Sequence, residues 1–207
     1  MDIKKLKLII ILSSCIIFQN CNKHCSTITA QKATFLSGGY TLYNPLKDSI
    51  QTGDTLFIGI TVPEKLTDNI TNTQVDFSNA SNMISDVSFS CLKGLQSQAG
   101  ALDSFTLVKG VGSFSVNSRL PNYSVGITFI EQNGNYSYAL GCIPQKKGIY
   151  VIDVSDIPYA TKKCDNATIS IISKSSDSHL HYLKDIYYGG GPIDAIDSTH
   201  SYCFKVY

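Results

Sequence analysis

The stretch VGITFIEQNGNYSYALGC, residues 125–142, decides the fold class of this 207-residue chain. Apolar and polar side chains alternate on both sides of Asn133-Gly134, which is the pattern of two half-buried strands. Asn-Gly between such runs is the strongest short hairpin signal, because both residues tolerate the positive φ that a two-residue turn requires. The stretch therefore predicts an antiparallel hairpin of residues 125–131 and 136–142, and with it an all-β fold.

Short runs rich in Val, Ile, Thr, Tyr and Phe recur on both sides of this hairpin and predict further strands. Residues 105–108 and 113–116 flank Gly110 and Gly112, so a second hairpin is expected there. A short helix near the C-terminus is predicted at residues 177–188, where a glycine run ends it. The other predicted strands are residues 40–43, 55–62, 75–77, 87–92, 149–154, 168–172 and 201–206. Together these elements predict an antiparallel β-sandwich with one short helix.

Residues 1–20 have the form of a cleaved lipoprotein signal peptide. Lysines precede an apolar run of eleven residues, 8–18, and a spanning helix would need about 20. The sequence FQNC that ends at Cys21 resembles the looser lipoboxes of Bacteroidota lipoproteins. That resemblance implies cleavage before Cys21 and acylation of its thiol. The alternative is Cys15, which ends the sequence LSSC, but cleavage there would leave an apolar segment directly after the lipid.

Five short motifs follow in the rest of the chain: GDTLFI at 53–58, VP at 62–63, LTD at 66–68, VDFSN at 75–79 and YCFKV at 202–206. Together they resemble uncharacterised Bacteroidota lipoproteins, in which a tethered β domain follows the lipobox. The resemblance implies an envelope location and a tethered β architecture. It implies no activity and no catalytic residue.

The mature chain divides into a tether and a domain. Residues 21–32 are polar and without periodicity, and residues 33–207 are predicted to form a single β-sandwich domain. A split near residues 96–103 is the alternative. Removing residues 1–20 leaves 14 basic and 15 acidic residues. No basic patch is present that could neutralise phosphates, so nucleic acid is not an expected partner.

The number of cysteines in the mature chain is consistent with export. Disulfides persist in oxidising compartments, so some of these cysteines are expected to pair there. Cys142 and Cys164 flank one strand-like run and are the predicted disulfide. A second pairing, Cys91 with Cys203, stays open because the two residues fall on opposite faces of their predicted strands.

Histidines offer the first candidate chemistry. His179 and His181 would share a face on a strand, but the local pattern is helical and turns them to nearly opposite sides. His200 and Asp177 could join one of them. Because no recognised ligand spacing accompanies these residues, no metal site and no other cofactor is predicted.

Carboxylate pairs offer a second candidate chemistry. Asp153 with Asp156, or Asp194 with Asp197, could act as the acid pair of a glycosidase if the fold brought them to the required separation. No nucleophile motif or phosphate loop accompanies them. Enzymatic activity is therefore left uncertain, and the sequence favours its absence.

Tyrosines offer a binding surface instead, because their rings give a large contact area with a polar tip. The candidates are Tyr136, Tyr138, Tyr150, Tyr159, Tyr182, Tyr187 and Tyr188. The sequence as a whole predicts an envelope lipoprotein that binds or scaffolds an unknown protein or glycan partner. It would be held to the outer membrane by acyl chains, on the periplasmic face, because no acidic run follows Cys21. The alternative is a secreted hydrolase on a β scaffold that acts on envelope or extracellular glycans.

Overall fold

Two β-sheets packed against each other form the part of the chain that the computed structural model describes, which is residues 34–92, 98–162, 165–173 and 200–207. All of these residues belong to one unit, Lys32–Tyr207. The predicted all-β sandwich is thereby confirmed.

Many of the longer strands contain the β-branched and aromatic runs of the sequence. In chain order they are β1 (Thr34–Asn44), β2 (Ser49–Ile50), β3 (Leu56–Pro63), β4 (Lys65–Asp68), β5 (Gln74–Asp76), β6 (Ile84–Leu92), β7 (Gln98–Gly100), β8 (Phe105–Lys109), β9 (Ser113–Val116), β10 (Ser124–Thr128), β11 (Ile130–Gln132), β12 (Asn135–Pro144), β13 (Gly148–Val154), β14 (Ile157–Lys162), β15 (Asp165–Ser173) and β16 (Ser201–Val206). The predicted helix at residues 177–188 lies outside the described residues. Among the described residues, no helix has the length and hydropathy to cross a membrane.

The first sheet has the strand order β11-β12-β3-β1-β15-β14, with β8 paired to β12 and with β4 joining β1 to β5. The second sheet has the order β2-β16-β13-β6-β10-β9, with β7 paired to β6. Among the described strand pairs, β1 with β15 and β2 with β16 are parallel, and the others are antiparallel. The sheets are therefore mixed rather than purely antiparallel.

The core lies between the sheets and follows the period-2 alternation of the strands. On β3, Leu56, Ile58, Ile60 and Val62 are all buried, as the alternation predicts. Phe105 of β8 is the central contact from the first sheet to the second. Its ring centroid lies 4.9 Å from that of Tyr150, 5.2 Å from Phe89 and 6.4 Å from Phe204.

The Asn133-Gly134 turn forms as predicted, with φ of 52° and 75° at the two residues. The hairpin beyond it is shorter than predicted, since only Ile130–Gln132 pairs with β12. The preceding strand, Ser124–Thr128, pairs with β6 and β9 of the second sheet. Phe129 lies between the two halves and is buried, so the chain passes from one sheet to the other at this residue.

The second predicted hairpin is wrong, although both of its strands exist. Phe105–Lys109 pairs with β12 in the first sheet, and Ser113–Val116 pairs with β10 in the second. The glycines between them carry the chain across the sandwich. At Gly112, with φ of +82°, a Cβ atom would lie 2.6 Å from the Thr128 carbonyl oxygen and 2.7 Å from Tyr138 Cδ2. The crossing therefore requires glycine for both its conformation and its close approach to β10 and β12.

Candidate functional site

Large apolar side chains lie on the outward side of the first sheet. Residues directly opposite one another on neighbouring strands share a face, so the strand register shows which side chains lie together. Gly141 of β12 is opposite Val108 of β8 and also opposite Phe57 of β3. A Cβ atom on Gly141 would lie 3.3 Å from the Thr55 methyl carbon, 3.4 Å from Val108 Cβ and 3.5 Å from Phe57 Cε1. The two apolar side chains therefore meet over this glycine.

The neighbouring rows continue the surface. Leu42 of β1 is opposite Gly59 of β3, and a Cβ atom on Gly59 would meet only a backbone oxygen, at 4.0 Å. Ile172 of β15 is opposite Tyr40 of β1, one row further along. Leu42 and Phe57 are each 51% exposed, Ile172 is 50% exposed and Val108 is 45% exposed. We call these four side chains, with Gly59 and Gly141 between them, the outer apolar face.

Among the described residues, no charged side chain falls in the rows of the outer apolar face. The described residues that the register places in its three rows are Val108, Gly141, Phe57, Asn44, Ala139, Gly59, Leu42, Ile130, Ser137, Thr61, Tyr40 and Ile172. The rows cross five strands, a width of about 19 Å at the usual strand spacing. Contiguous apolar patches on the order of a few hundred Å² are the largest that soluble monomers commonly expose, and many of them bind a partner.

The sequence contains a signal for this surface. In a strand with one face in water, the outward positions are expected to be polar. Phe57 and Leu42 occupy outward positions and interrupt that alternation. The sequence LFI at residues 56–58 predicts a strand, and its middle residue, Phe57, lies on the outer side, 51% exposed.

The predicted tyrosine surface is wrong for three of its residues. Tyr136, Tyr138 and Tyr150 are at most 2% exposed, because each points inward from its strand. The Tyr136 hydroxyl is satisfied inside the protein: it accepts from the Ala80 amide at 2.7 Å and donates to the Phe77 carbonyl at 2.9 Å.

The remaining predicted tyrosines do not restore that surface. Tyr159 is 73% exposed, alone among the predicted tyrosines that the structure describes. Tyr182, Tyr187 and Tyr188 lie outside the described residues.

The structure brings together one of the predicted acid pairs and a histidine. His200 Nε2 lies 3.3 Å from Asp156 Oδ1, and the Ile171 amide donates to the same oxygen at 2.8 Å. Asp153 lies near the end of β13, which leads into Asp156, and accepts a hydrogen bond from the Ser201 hydroxyl. Burial raises the pKa of Asp153, while the hydrogen bond from Ser201 acts to lower it.

The described contacts of this cluster are hydrogen bonds within the protein. The Ser201 hydroxyl donates to Asp153. Asp156 is engaged by a backbone amide and by His200. The hydrolase alternative stays a prediction.

The other candidate ligands and acids lie beyond the described part of the chain: His179, His181, Asp177, Asp194 and Asp197. Within the described part, no group of three or more His, Cys, Asp or Glu side chains could hold a metal ion. The predicted acylation sites Cys21 and Cys15 also lie outside it, so lipidation stays a prediction.

No disulfide joins two of the described cysteines. Cys142 is fully buried in the core, and burial raises the pKa of its thiol far above the usual range. Its predicted partner Cys164 lies outside the described residues, so that bridge stays a prediction. The open pairing of Cys91 with Cys203 is excluded, because β13 lies between their strands and separates them by two strand spacings, about 9–10 Å.

No protein-family model and no curated protein matches the chain. Among solved structures, the seventh ScaB type I cohesin from Pseudobacteroides cellulosolvens is similar, with a TM-score of 0.30 and 8% sequence identity. The similarity covers 67% of this chain and 95% of that one. A likeness at this level says nothing about what this chain binds.

Proposed function

We propose that the protein is a membrane-anchored binding module of a bacterial envelope, and that its outer apolar face binds a protein partner. The main support for the proposal is the surface around Leu42, Phe57, Val108 and Ile172, whose described rows hold no charged side chain. These four side chains do not pack in the core. Folding alone therefore does not explain why large apolar side chains occupy these positions.

The geometry suits a protein partner better than a small ligand. Small molecules are bound in concave sites that bury most of their surface, whereas the outer apolar face lies on the open side of a sheet. Phe57, supported by Val108 over Gly141, has the form of an aromatic anchor at the centre of an interface. The Gly59 position leaves room for a partner side chain beside Leu42.

Replacing Leu42 and Phe57 together by serine tests this surface. We expect the double variant to fold and to weaken partner binding by at least about 2 kcal/mol, or roughly thirtyfold, because interface anchors carry most of the binding energy. The measurement is the amount of protein that migrates in a higher-mass complex, on native gels of envelopes extracted with mild detergent.

A matched control replaces Val116 and Leu120 by serine. These residues are 52% and 53% exposed and do not belong to the outer apolar face. The proposal is contradicted if this control disrupts the complex as strongly as the Leu42→Ser/Phe57→Ser variant, or if that variant leaves the complex intact.

Anchoring through Cys21 forms the second part of the proposal. It is supported by the lipoprotein form of residues 1–20, by the lipobox before Cys21 and by the family resemblance. Two or more acyl chains hold a protein stably on a bilayer without a spanning helix. The tether of residues 21–32 can extend at most about 40 Å, so the domain stays close to partners in the same membrane.

Metabolic labelling tests the anchor. We expect the full-length chain, expressed with an alkyne-bearing palmitate, to take up label in the wild type and in Cys15→Ser, and to lose it in Cys21→Ser. Loss of label in Cys15→Ser alone would assign the anchor to the alternative cysteine. Label in neither the wild type nor the variants, with soluble protein in the medium, would contradict membrane anchoring.

A further inference from the structure

At one end of the first sheet, five strands curl until the outermost two meet. Their order there is β5-β4-β1-β15-β14, so β5 and β14 are at opposite edges. Lys162 of β14 nevertheless reaches Asp76 of β5, with Nζ 3.1 Å from Oδ1 and 2.6 Å from the carbonyl oxygen. Ser81 and Thr161 also exchange backbone hydrogen bonds of 2.8 Å. This curled end is closed by both sets of contacts.

A cavity of about 280 Å³ lies inside the curled end. Its apolar lining comes from Leu36 of β1, Ala167 of β15, Val75 of β5 and Phe77, which follows β5. Leu36 and Ala167 point inward with the core, and Phe77 is only 4% exposed. These side chains give the cavity a packed apolar floor.

The polar lining holds two carboxylates, Asp68 and Asp165, together with the Thr34 hydroxyl, the Asn166 amide and the Lys162 ammonium group. Asp68, opposite Leu36 in the register, is 9% exposed, and its Oδ1 accepts from the amides of Ile70 and Thr71 at 2.7 and 3.2 Å. Thr34 and Asp165 also line the cavity, and Asp165 is exposed, so it marks the side that meets solvent. The carboxylates are charged acceptors, which form the stronger hydrogen bonds.

Lys162 brings a positive charge to the cavity lining, while its ammonium group donates its hydrogen bonds to Asp76 and Ser78. Its Nζ contacts are the carbonyl and carboxylate oxygens of Asp76 and, at 3.4 Å, the Ser78 hydroxyl. Hydrogen bonds from Ser78 and then Lys162 hold the pKa of Asp76 far below its usual range, so the pair stays ionised. The lining thus combines both signs of charge.

We propose that this cavity binds a single sugar residue. Its carboxylates disfavour an anion, and the Lys162 ammonium disfavours a second cation, which leaves a neutral ligand rich in hydroxyl donors. A pyranose ring has this chemistry: hydroxyl groups on its rim meet the acceptors, and its C–H face lies on the apolar floor. The cavity is close to the small end of the usual volume range for ligand sites. The site is separate from the outer apolar face and does not depend on it.

Saturation-transfer NMR tests the proposal on the full-length protein, held in a zwitterionic detergent without a sugar headgroup. The probes are D-glucose, D-galactose, D-mannose and N-acetyl-D-glucosamine, each titrated singly. We expect at least one of them to bind with a Kd of about 1 mM, which is reasonable for one small polar ligand. Asp165→Asn should weaken that binding about tenfold, because it removes a charged acceptor while leaving an exposed position unstrained.

Two further variants locate the site. Ala167→Leu should abolish sugar binding, because the larger side chain would occupy the cavity above the apolar floor. Thermal melting shows whether this variant folds. Ala80→Leu is its control, because Ala80 lines a neighbouring cavity of about 350 Å³ instead. The proposal is overturned if no sugar binds, if a bound sugar is unaffected by Asp165→Asn, or if propylammonium binds more tightly than every sugar. A negative result in the sugar-binding experiments would not contradict the protein-binding role of the outer apolar face. That role is tested separately, by the effect of Leu42→Ser/Phe57→Ser on the complex with the protein partner.

Discussion

Gly112→Ala is expected to destabilise the protein by roughly 3 kcal/mol. An L-residue in the left-handed region costs about 1–2 kcal/mol, and overpacking typically adds 1–3 kcal/mol. Both costs apply here, since φ is +82° and the new Cβ would lie 2.6 Å from the Thr128 carbonyl oxygen and 2.7 Å from the buried Tyr138 ring. The loss should appear as a lower midpoint in urea denaturation with an unchanged m-value.

Gly134→Ala is the control for backbone conformation alone. Gly134 has a comparable φ of +75°, but a Cβ atom there would have no neighbour within 4 Å. We expect this variant to cost about 1 kcal/mol. Equal losses at Gly112 and Gly134 would mean that the chain does not cross between the sheets in the close contact described.

Phe105→Ala is expected to cost about 4 kcal/mol, within the usual range for truncating a core aromatic. Phe105 projects from the first sheet into a cluster formed by Phe89, Tyr150 and Phe204 of the second. Its removal would leave a cavity where the two sheets make contact. Chemical denaturation monitored by far-UV circular dichroism measures the loss directly.

Phe57→Ala is the matched control, and it also separates packing from function. The Phe57 side chain is 51% exposed on the outer apolar face, so its truncation should cost less than about 1 kcal/mol. A loss at Phe57 as large as that at Phe105 would show that Phe57 is retained for folding. In that case its exposure would no longer be an argument for binding.

The positions of many strands could be predicted from the sequence because alternation and turn residues are local signals. The Asn133-Gly134 turn and the strand Ser201–Val206 are examples, whereas the strand Ile157–Lys162 is absent from the predicted set. Strand pairing could not be predicted in the same way. A strand that packs against the core shows the same alternation in either sheet of a sandwich, so the sequence pairs residues 105–108 with 113–116. In the structure, Gly110 and Gly112 form a crossing between the sheets and not a hairpin turn.

The candidate site was harder to predict from the sequence. The alternation of a strand sorts its side chains onto two faces, but it does not show which face is buried. The sequence places Tyr136 and Tyr138 on a binding surface, whereas both point to the core. Phe57 and Leu42 lie in strands as predicted, but the pattern does not show that their side chains are about half exposed on the outer side of the sheet. Which face of a strand is buried depends on how the sheets pack, and that is settled by contacts far apart in sequence.

The outer apolar face is tested most directly by photo-crosslinking in the source bacterium. A benzoylphenylalanine is placed at position 57 in one strain and at position 120 in another, since both side chains are about half exposed. The account predicts one discrete adduct with a second protein from position 57, its loss when Leu42→Ser is added, and no such adduct from position 120. The same adduct from both positions, or none from position 57 in intact cells, would contradict a protein-binding role for this face.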